Sequence, residues 1–314
     1  MAAIASTNAI WKLAASDLTC DLDLSQEELV RLLDLAVQVK RTPARYSRAL
    51  ASRYLSLLFE KPSLRTRLTF ELAIKQLGGD AVLFTGPIGE REPLKDVARN
   101  LARWTNGIVA RTFSQRTIEE LANWSSVPVI NALSDLYHPC QALADVMTLK
   151  ERFGSLRGLK LAFVGDGNNV AHSLMLTSVR LGMMFALATP EGYGPNPDVM
   201  QQAGELAERF GGQLEIGHDP AAAVEGAQAV YTDVWASMGQ ESEAQKRREV
   251  FQPYQVNANL MAQAAENAVF LHCLPAKRGQ ETTEDIIESA QSAVFDQAEN
   301  RLHAQKALLL VMLG

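Results

Sequence analysis

The chain has 314 residues, of which 47% are hydrophobic and 21% are charged. This length and composition allow a large core and predict about two domains. The net charge is −6 and no basic stripe is visible, which is not the pattern of a nucleic-acid-binding protein. The N-terminal residues show no signal-peptide pattern, and the apolar runs are too short to cross a bilayer. We therefore expect no nucleic-acid partner and no membrane partner.

Three cysteines, Cys20, Cys140 and Cys273, are an odd, sparse set without the spacing of a metal site. Free thiols of this kind are typical of a reducing compartment. We therefore predict a cytoplasmic location and no bound metal.

The first half of the chain alternates between helix and strand patterns. Residues 25–28, Ser-Gln-Glu-Glu, match a helix capping box, and an apolar helical stripe follows. The apolar run Tyr54–Phe59 predicts a buried strand, and a helix pattern begins after Pro62. Further predicted elements are strands at residues 81–84, 107–110 and 127–131, with a helix at Leu94–Trp104. This alternation predicts a parallel sheet covered by helices.

A second alternating series follows a long helix that is predicted from His138 to about residue 153. Its predicted strands are residues 160–164, 184–189, 213–216, 229–232 and 268–272. We predict an α/β fold of two doubly wound domains, each with a central parallel sheet, linked by interdomain helices. The predicted limits are 1–137 joined by a C-terminal helix at 297–314 for the first domain, 138–153 for the interdomain helix, and 154–296 for the second domain.

Residues 63–67, Ser-Leu-Arg-Thr-Arg, occupy the turn between the first predicted strand and its helix. A helix start offers backbone N–H groups, and this one adds two hydroxyls and the guanidinium groups of Arg65 and Arg67. Charge-assisted bonds of about 1.5–3 kcal/mol each would outweigh the helix dipole, which contributes about 0.3–1 kcal/mol. The pattern predicts a phosphate site, although a basic helix start that pairs with surface carboxylates would have the same sequence.

Polar residues also follow other predicted strands, at the edge where parallel α/β sheets bind ligands. Each has a structural alternative. Arg111 could be a surface cation, His138 and Asp233 could cap helices, and Cys273 could be a small buried residue. Residues 165–169 resemble a dinucleotide-binding loop, but they lack the Gly-x-Gly-x-x-Gly spacing, which argues against NAD. The shared position of these residues predicts a cleft between two α/β domains.

The polar motifs occur in one order along the chain: Ser-Leu-Arg-Thr-Arg at 63–67, Arg111, His-Pro-Cys-Gln at 138–141, Asp-Gly-Asn-Asn at 166–169, Asp233, Ser-Met-Gly at 237–239, His-Cys-Leu-Pro at 272–275 and Arg301. Together they resemble the aspartate/ornithine carbamoyltransferase family, over nearly the whole chain. The Ser-Met-Gly and His-Cys-Leu-Pro motifs are similar to the ornithine branch of that family rather than to its aspartate branch.

The resemblance implies transfer of the carbamoyl group from carbamoyl phosphate to the δ-amine of L-ornithine, with no cofactor and no metal. The first domain would bind carbamoyl phosphate, and the second would bind ornithine. The implied carbamoyl-phosphate site consists of Ser63, Leu64, Arg65, Thr66, Arg111, His138, Gln141, Cys273, Leu274 and Arg301. The implied ornithine site consists of Asn169, Asp233, Ser237 and Met238. The implied catalytic residues are Arg111, His138, Cys273, Asp233 and Arg301.

Some individual roles also come from the resemblance. Arg111 would bridge the phosphate and the carbamoyl oxygen, whereas Asp233 and Cys273 would guide the δ-amine. Asn168 would join the residues around ornithine, and Arg67 would form structural ion pairs.

The chain departs from the family pattern at two places. Leu64 stands where ornithine enzymes commonly have threonine, so only its backbone could bind phosphate. The loop at residues 85–91 looks shorter than in many relatives and lacks the residue that reaches a neighbouring subunit. The family nevertheless implies a homotrimer or a multiple of trimers, and a cis bond between Leu274 and Pro275.

Other functions stay open at this stage. The acceptor could be another amine, such as N-acetylornithine or putrescine, but Asp233 and the Ser-Met-Gly motif favour an unmodified α-amino acid. The complete polar set argues against a non-catalytic binding protein that retains the fold. An NAD oxidoreductase would leave the motifs at 63–67 and 272–275 without roles.

Overall fold

The computed structural model of the protein describes residues 10–236 and 241–314. The chain separates into two compact units. One unit runs to Ser134 and includes Leu302–Gly314, and the other is Asp135–Arg301. Both are built from parallel strands and helices, which confirms the predicted fold class.

The first unit contains a four-stranded parallel sheet. Its strands are β1 (Tyr54–Phe59), β2 (Asp80–Thr85), β3 (Gly107–Arg111) and β4 (Val129–Leu133), in the order β2-β1-β3-β4. Its helices are α1 (Gln26–Arg41), α2 (Arg65–Gln76), α3 (Leu94–Trp104) and α4 (Gln115–Trp124). Strand β1 lies between two neighbours and is buried at every position after Tyr54, which explains its unbroken apolar sequence.

The core of the first unit forms where the strands meet α3 and α4. Leu58 and Ile108 from the sheet pack with Ala98, Ile118 and Leu121 from the two helices, and all five are buried. The spacing of Ile118 and Leu121 places both on one face of α4. This face holds α4 against the sheet, although the sequence patterns above did not identify the helix.

The second unit contains a five-stranded parallel sheet in the order β7-β6-β5-β8-β9. Its strands are β5 (Lys160–Val164), β6 (Met184–Ala188), β7 (Gln213–Gly217), β8 (Ala229–Thr232) and β9 (Val269–His272). Its helices are α5 (Pro139–Phe153), α6 (Asn169–Arg180), α7 (Pro197–Phe210), α8 (Pro220–Val224), α9 (Ala244–Phe251), α10 (Ala258–Met261), α11 (Glu284–Ile287) and the start of α12 (Val294–Leu313). Aromatic rings of Phe163 and Tyr231 stack across β5 and β8 at 5.3 Å.

Each sheet reverses its strand order at one place. In the first unit the reversal lies between β1 and β3, and in the second it lies between β5 and β8. In open α/β sheets the loops that leave the strands on either side of such a reversal form a ligand crevice. The crevice loops are therefore those after β1 and β3 in one unit, and after β5 and β8 in the other.

Most predicted element limits agree with the structure, and β1, α3, β5 and β8 agree to the residue. The strand predicted at residues 127–131 is wrong at its start, because β4 begins at Val129. Pro128 has no N–H to donate to a ladder, which accounts for the later start. The last helix begins at Val294, earlier than the predicted residue 297. No helix in the described part of the chain combines the length and apolarity needed to span a bilayer.

Candidate active site

The predicted phosphate turn lies at the carboxyl end of β1. Helix α2 begins at Arg65, and its N-cap residue, Leu64, makes no side-chain capping bond. Thr66 is buried, whereas Ser63 and Arg65 are half-buried. Leu64 is 69% exposed, and because its side chain is a hydrocarbon it can offer an anion only its backbone N–H. The turn therefore presents the helix start, two hydroxyls and a guanidinium group together.

Arg111 is the last residue of β3 and lies beside the end of β1. It is aligned with Phe59 in the parallel pair, and its carbonyl oxygen accepts the N–H of Glu60 at 3.0 Å. On its other side the register with β4 shifts between Ala110 and Arg111. Such a bulge changes the direction in which the next side chain points. Arg111 thus shares the β1–β3 crevice with the 63–67 turn, and it is not an isolated surface cation.

Glu60 ties the loops of this crevice together, and the sequence patterns did not reveal it. Its carboxylate accepts the N–H of Ile88 at 3.1 Å and the N–H of Phe113 at 2.8 Å. One carboxylate therefore fixes the loop after β2 and the loop after β3 next to the phosphate turn. The loop at residues 85–91 is held at this point.

His138 occupies the N-cap position of α5, but its side chain does not cap the helix. Its backbone N–H donates to the Ser173 hydroxyl at 2.8 Å. Gln141, one turn further on, is buried and donates its Nε2 to Asp145 at 2.7 Å. Two of the predicted carbamoyl-binding side chains thus start from the first turn of one helix.

Asp233 is the centre of a cluster at the β5–β8 crevice. The Asn168 amide donates to one carboxylate oxygen at 2.8 Å, and the Cys273 thiol donates to the other at 3.0 Å. Asn168 also caps α6, because its side-chain oxygen accepts the N–H groups of Val170 and Ala171. Asp233 precedes no helix in the described structure, so it is not an N-cap. The structure assigns Asn168 to the orientation of Asp233.

Cys273 is a thiol and not a thiolate in this setting. Burial raises the pKa of Cys273 well above its usual value, and the adjacent Asp233 carboxylate raises it further. A protonated thiol donates a hydrogen bond and is a poor nucleophile. Cys273 is therefore fitted to hold Asp233 in place.

Potential metal-ligand atoms of Asp233, His272 and Cys273 lie within 4.8 Å of one another. Hydrogen bonds already account for this cluster. His272 accepts the N–H of Leu274 through Nδ1 at 2.8 Å, and its Nε2 lies 3.3 Å from Glu281. Both ring nitrogens of His272 are thus engaged with the protein, and we assign no cation here.

The His-Cys-Leu-Pro segment has a constrained backbone. Leu274 has a φ of 57°, a region that residues with a side chain rarely adopt, and the Leu274–Pro275 bond is cis as expected. The bond from the Leu274 N–H to His272 spans this turn. Strained residues of this kind cluster at ligand sites.

The remaining predicted site residues fall as follows. Asn169 is the first residue of α6 and is half-buried. Arg301 is buried in α12; burial lowers the pKa of this guanidinium, and Cys273 and Asp145 are among the groups whose charge opposes that shift. Ser237 and Met238 lie outside the described residues.

A buried ion pair braces the loops of the second crevice. Arg247 donates to Asp166 and to the Trp235 carbonyl oxygen, both at 2.9 Å. Burial raises the pKa of Asp166 to about 6, although the charge of Arg247 acts in the opposite direction. The pair joins the loop after β5 to the loop after β8 and so fixes the surroundings of Asp233.

Gly167, in the loop at residues 165–169, packs closely against a neighbouring segment. A Cβ at Gly167 would lie 2.3 Å from the backbone nitrogen of Pro195. Gly167 is therefore required for close packing of this loop against residues 194–195.

Comparison with known proteins assigns the chain to a family. A family model described as the carbamoyl-P binding domain of aspartate/ornithine carbamoyltransferase matches residues 16–151. The model of the Asp/Orn binding domain matches residues 157–312. The chain belongs to the aspartate/ornithine carbamoyltransferase family.

Individual members of the carbamoyltransferase family match almost end to end. An ornithine carbamoyltransferase of Thermococcus kodakarensis is 49% identical over 310 residues, which cover 97% of this chain and 98% of the relative. The solved ornithine carbamoyltransferase of Pyrococcus furiosus has a TM-score of 0.94 and 47% identity, over 96% of this chain and 98% of the other. A solved acetylornithine transcarbamylase in complex with acetylcitrulline has a TM-score of 0.85 and 32% identity, over 94% of this chain and 98% of the other. The family resemblance inferred from the motifs is confirmed.

Several polar residues of these carbamoyltransferase crevices were absent from the sequence prediction. They are Glu60, Asp145, Arg247, Glu281 and Gln297. Only Asp145 carried a signal in the sequence, since it follows Gln141 by four residues on the same predicted helix. Glu60, Arg247 and Gln297 meet their partners through the folding of distant segments, whereas Glu281 meets His272 across nine residues.

Proposed function

We propose that this protein transfers the carbamoyl group of carbamoyl phosphate to the δ-amine of L-ornithine, which yields L-citrulline and phosphate. The Asp233 cluster is the observation that carries the proposal. A buried carboxylate, oriented by Asn168 and Cys273 at the β5–β8 crevice, suits a cationic amino acid. The match to a carbamoyl-P binding domain supplies the donor.

The phosphate end of the donor is assigned to residues of the first unit. Ser63, Arg65, Thr66 and the Leu64 N–H bind the phosphate, because they bring a helix start and fixed positive charge to one turn. We assign to Arg111 the bridge between the phosphate and the carbamoyl oxygen, and the support for this is that its strand ends beside the end of β1.

The carbamoyl end is assigned to residues of the second unit. His138 and Gln141 on α5, Arg301 on α12, and the carbonyl oxygens of Cys273 and Leu274 hold it. Asn169, Asp233, Ser237 and Met238 bind ornithine, with Asp233 and Cys273 next to the δ-amine. We retain the predicted limits as part of the proposal: a carbamoyl-phosphate domain of residues 1–137 with 297–314, an interdomain helix of residues 138–153, and an ornithine domain of residues 154–296.

The reaction follows from the chemistry of these groups. The neutral δ-amine attacks the carbamoyl carbon, and the carbonyl oxygen gains negative charge in the tetrahedral intermediate. Arg111, His138 and the Thr66 hydroxyl stabilise that oxygen. Collapse of the intermediate breaks the C–O bond to phosphate, and the departing phosphate accepts the proton that the attacking nitrogen loses. The phosphate leaves onto Ser63, Arg65 and the start of α2. Carbamoyl phosphate is already activated, so the step calls for no cofactor.

We further propose a cytoplasmic homotrimer, or a multiple of trimers. The three cysteines are free thiols, which is typical of a reducing compartment. An apolar area on the first unit, the α2–β2 surface, is defined by Leu64, Leu68, Leu72, Val82 and Phe84, all of them exposed. The three leucines recur every four residues on one helix face, and β2 is an edge strand. Apolar areas of this kind mark protein interfaces, and we assign this one to a second copy of the chain.

Purified protein is assayed with carbamoyl phosphate and, in parallel, ornithine, N-acetylornithine, putrescine and aspartate. We expect ureido product and phosphate in equal amounts with ornithine alone. Asp233→Asn should raise the KM for ornithine about 10- to 100-fold, the equivalent of a charge-assisted bond. Asp198→Asn removes an exposed carboxylate at the start of α7 and serves as the matched control, with unchanged kinetics.

Product with a different amine would support carbamoyl phosphate as the donor and would show that ornithine is not the acceptor. Absence of product with every amine, in protein shown to be folded, would reject the transferase and favour a binding protein.

A further inference from the structure

Asp145 joins two arms of a buried hydrogen-bond network in the second unit. It is fully buried on α5, and its Oδ1 accepts Nε2 of Gln141 at 2.7 Å and Nε2 of Gln297 at 2.6 Å. Burial raises the pKa of Asp145 to about 7, while these bonds and the charge of Arg301 act in the opposite direction. Such a carboxylate is costly to bury, so its position calls for an explanation.

The first arm sets the orientation of the Gln141 amide. An amide side chain has one donor end and one acceptor end, and the Asp145 oxygen that faces it is an acceptor. The donor Nε2 therefore turns to Asp145. The acceptor Oε1 is buried and has no hydrogen-bond partner among the described residues. A buried acceptor of this kind is ready for an N–H donor of a ligand.

The second arm reaches the His-Cys-Leu-Pro segment. Gln297 donates to Asp145 and accepts the backbone N–H of His272 through Oε1 at 2.9 Å. His272 in turn accepts the N–H of Leu274 through Nδ1. The orientation of the Gln297 amide is thus set by the same carboxylate, and it fixes the start of the segment that carries the Cys273 and Leu274 carbonyl oxygens.

We propose that Asp145 is a positioning residue for the carbamoyl group. It directs Oε1 of Gln141 and, through Gln297 and His272, the carbonyl oxygens of Cys273 and Leu274 as acceptors for the amino hydrogens of the carbamoyl group. This proposal rests on the proposed function, because it presupposes that carbamoyl phosphate is the ligand. Asp145 would then distinguish carbamoyl phosphate from inorganic phosphate without touching either one.

A purely structural role is the competing explanation, and the same two helices provide its control. One turn beyond Asp145 and Gln297, the Asn300 amide donates to the Thr148 hydroxyl at 2.9 Å, and both residues are buried. This pair links α5 to α12 as Asp145 and Gln297 do, and Asn300 also donates to Glu151 at 2.8 Å. Neither Thr148 nor Asn300 is among the residues assigned to the ligands. Thr148→Val removes it with little change of shape.

The test measures the dissociation constants of carbamoyl phosphate and of inorganic phosphate by calorimetry. Asp145→Leu should raise the dissociation constant of carbamoyl phosphate on the order of 10- to 100-fold, as expected when polar binding groups are misplaced. The dissociation constant of inorganic phosphate should stay unchanged. Asp145→Asn keeps an acceptor oxygen and should bind carbamoyl phosphate within about threefold of wild type. Thr148→Val should lower the melting temperature and leave both constants unchanged.

The outcomes separate the two proposals. If wild type does not prefer carbamoyl phosphate to inorganic phosphate, the proposed function fails. If wild type shows the preference and Asp145→Leu keeps it, Asp145 is structural and the positioning role is wrong. Asp145 would also be structural if Asp145→Leu weakened the binding of both ligands equally. The same conclusion would follow if Thr148→Val weakened carbamoyl-phosphate binding as much as Asp145→Leu does. Should Asp145→Leu fail to fold, Asp145→Ser, whose hydroxyl is too short to reach Gln141, is measured instead.

Discussion

Arg65 and Arg67 stand two residues apart at the start of α2, yet their surroundings differ. Arg65 is half-buried beside the buried Thr66, whereas Arg67 is exposed. Side chains two apart point to different faces of a helix, so only one of them can serve a ligand at the crevice. Arg65 is therefore the proposed phosphate-binding residue, and Arg67 serves as its control.

Arg65→Ala should raise the dissociation constant for carbamoyl phosphate by about 10- to 100-fold. The reason is the loss of charge-assisted bonds that contribute roughly 1.5–3 kcal/mol each. Calorimetric titration with carbamoyl phosphate measures the effect. Arg67→Ala removes the same charge from the same turn and should change the constant by no more than about threefold, since screening weakens exposed charges. Equal losses in both variants would mean that general charge, and not Arg65, attracts the phosphate.

At the scale of elements, helix α1 has both an N-terminal capping box and a buried apolar face. Ser25 accepts the N–H of Glu28 at 3.2 Å, and the Glu28 carboxylate accepts the N–H of Ser25 at 2.9 Å. Glu28 also accepts the N–H of Ala14 at 2.7 Å, which ties the preceding segment to the helix start. Buried residues Leu29, Leu32, Leu33, Ala36 and Val39 then line one face of the helix. Cap and stripe are both local in sequence, which is why the helix was predictable.

Ser25→Ala should lower the free energy of unfolding by about 1 kcal/mol, the usual value of an N-cap hydroxyl. Urea unfolding followed by circular dichroism measures the change. Ser47→Ala is the control, because Ser47 is exposed and its hydroxyl donates to Ala44 without capping a helix N-terminus. A cost as large for Ser47→Ala as for Ser25→Ala would contradict the capping role.

At the scale of the whole molecule, exposed apolar side chains are not spread evenly over the first unit. The α2–β2 surface combines one helix face with an edge strand, where Val82 is 66% exposed. Edge strands left open in this way promote association, and charged side chains prevent it. The proposed trimer would cover this surface.

Val82→Glu should dissociate the trimer, because each copy would have to bury a charge at the interface. Light scattering during gel filtration gives the mass. We expect three times the monomer mass, or a multiple of that value, for wild type and a lower mass for the variant. Ile216→Glu is the matched control, since Ile216 is an exposed residue of the edge strand β7 in the other sheet. A wild-type monomer would reject the trimer. A trimeric Val82→Glu variant would place the interface elsewhere.

Local patterns decided which parts of the fold could be predicted. The strand Tyr54–Phe59 and the helix Leu94–Trp104 were predicted to the residue, since an apolar run and a helical period are properties of neighbouring residues. Helix α4 was missed because its ten residues contain only three large apolar side chains, Ile118, Leu121 and Trp124, which are too few to establish a helical period in the sequence. The motifs around residues 63–67 and 272–275 identified the family for the same local reason.

The sequence by itself thus determined the α/β class, the family and the positions of the polar motifs. Tertiary structure alone decided how those motifs are oriented. Asp145 meets Gln297 across 152 residues of sequence, and Asp166 meets Arg247 across 81. Bonds of this kind depend on how the strands are ordered and how the helices pack, which no local pattern records. For that reason the residues proposed to touch the substrates could be named from the sequence, whereas the buried residues that hold them could not.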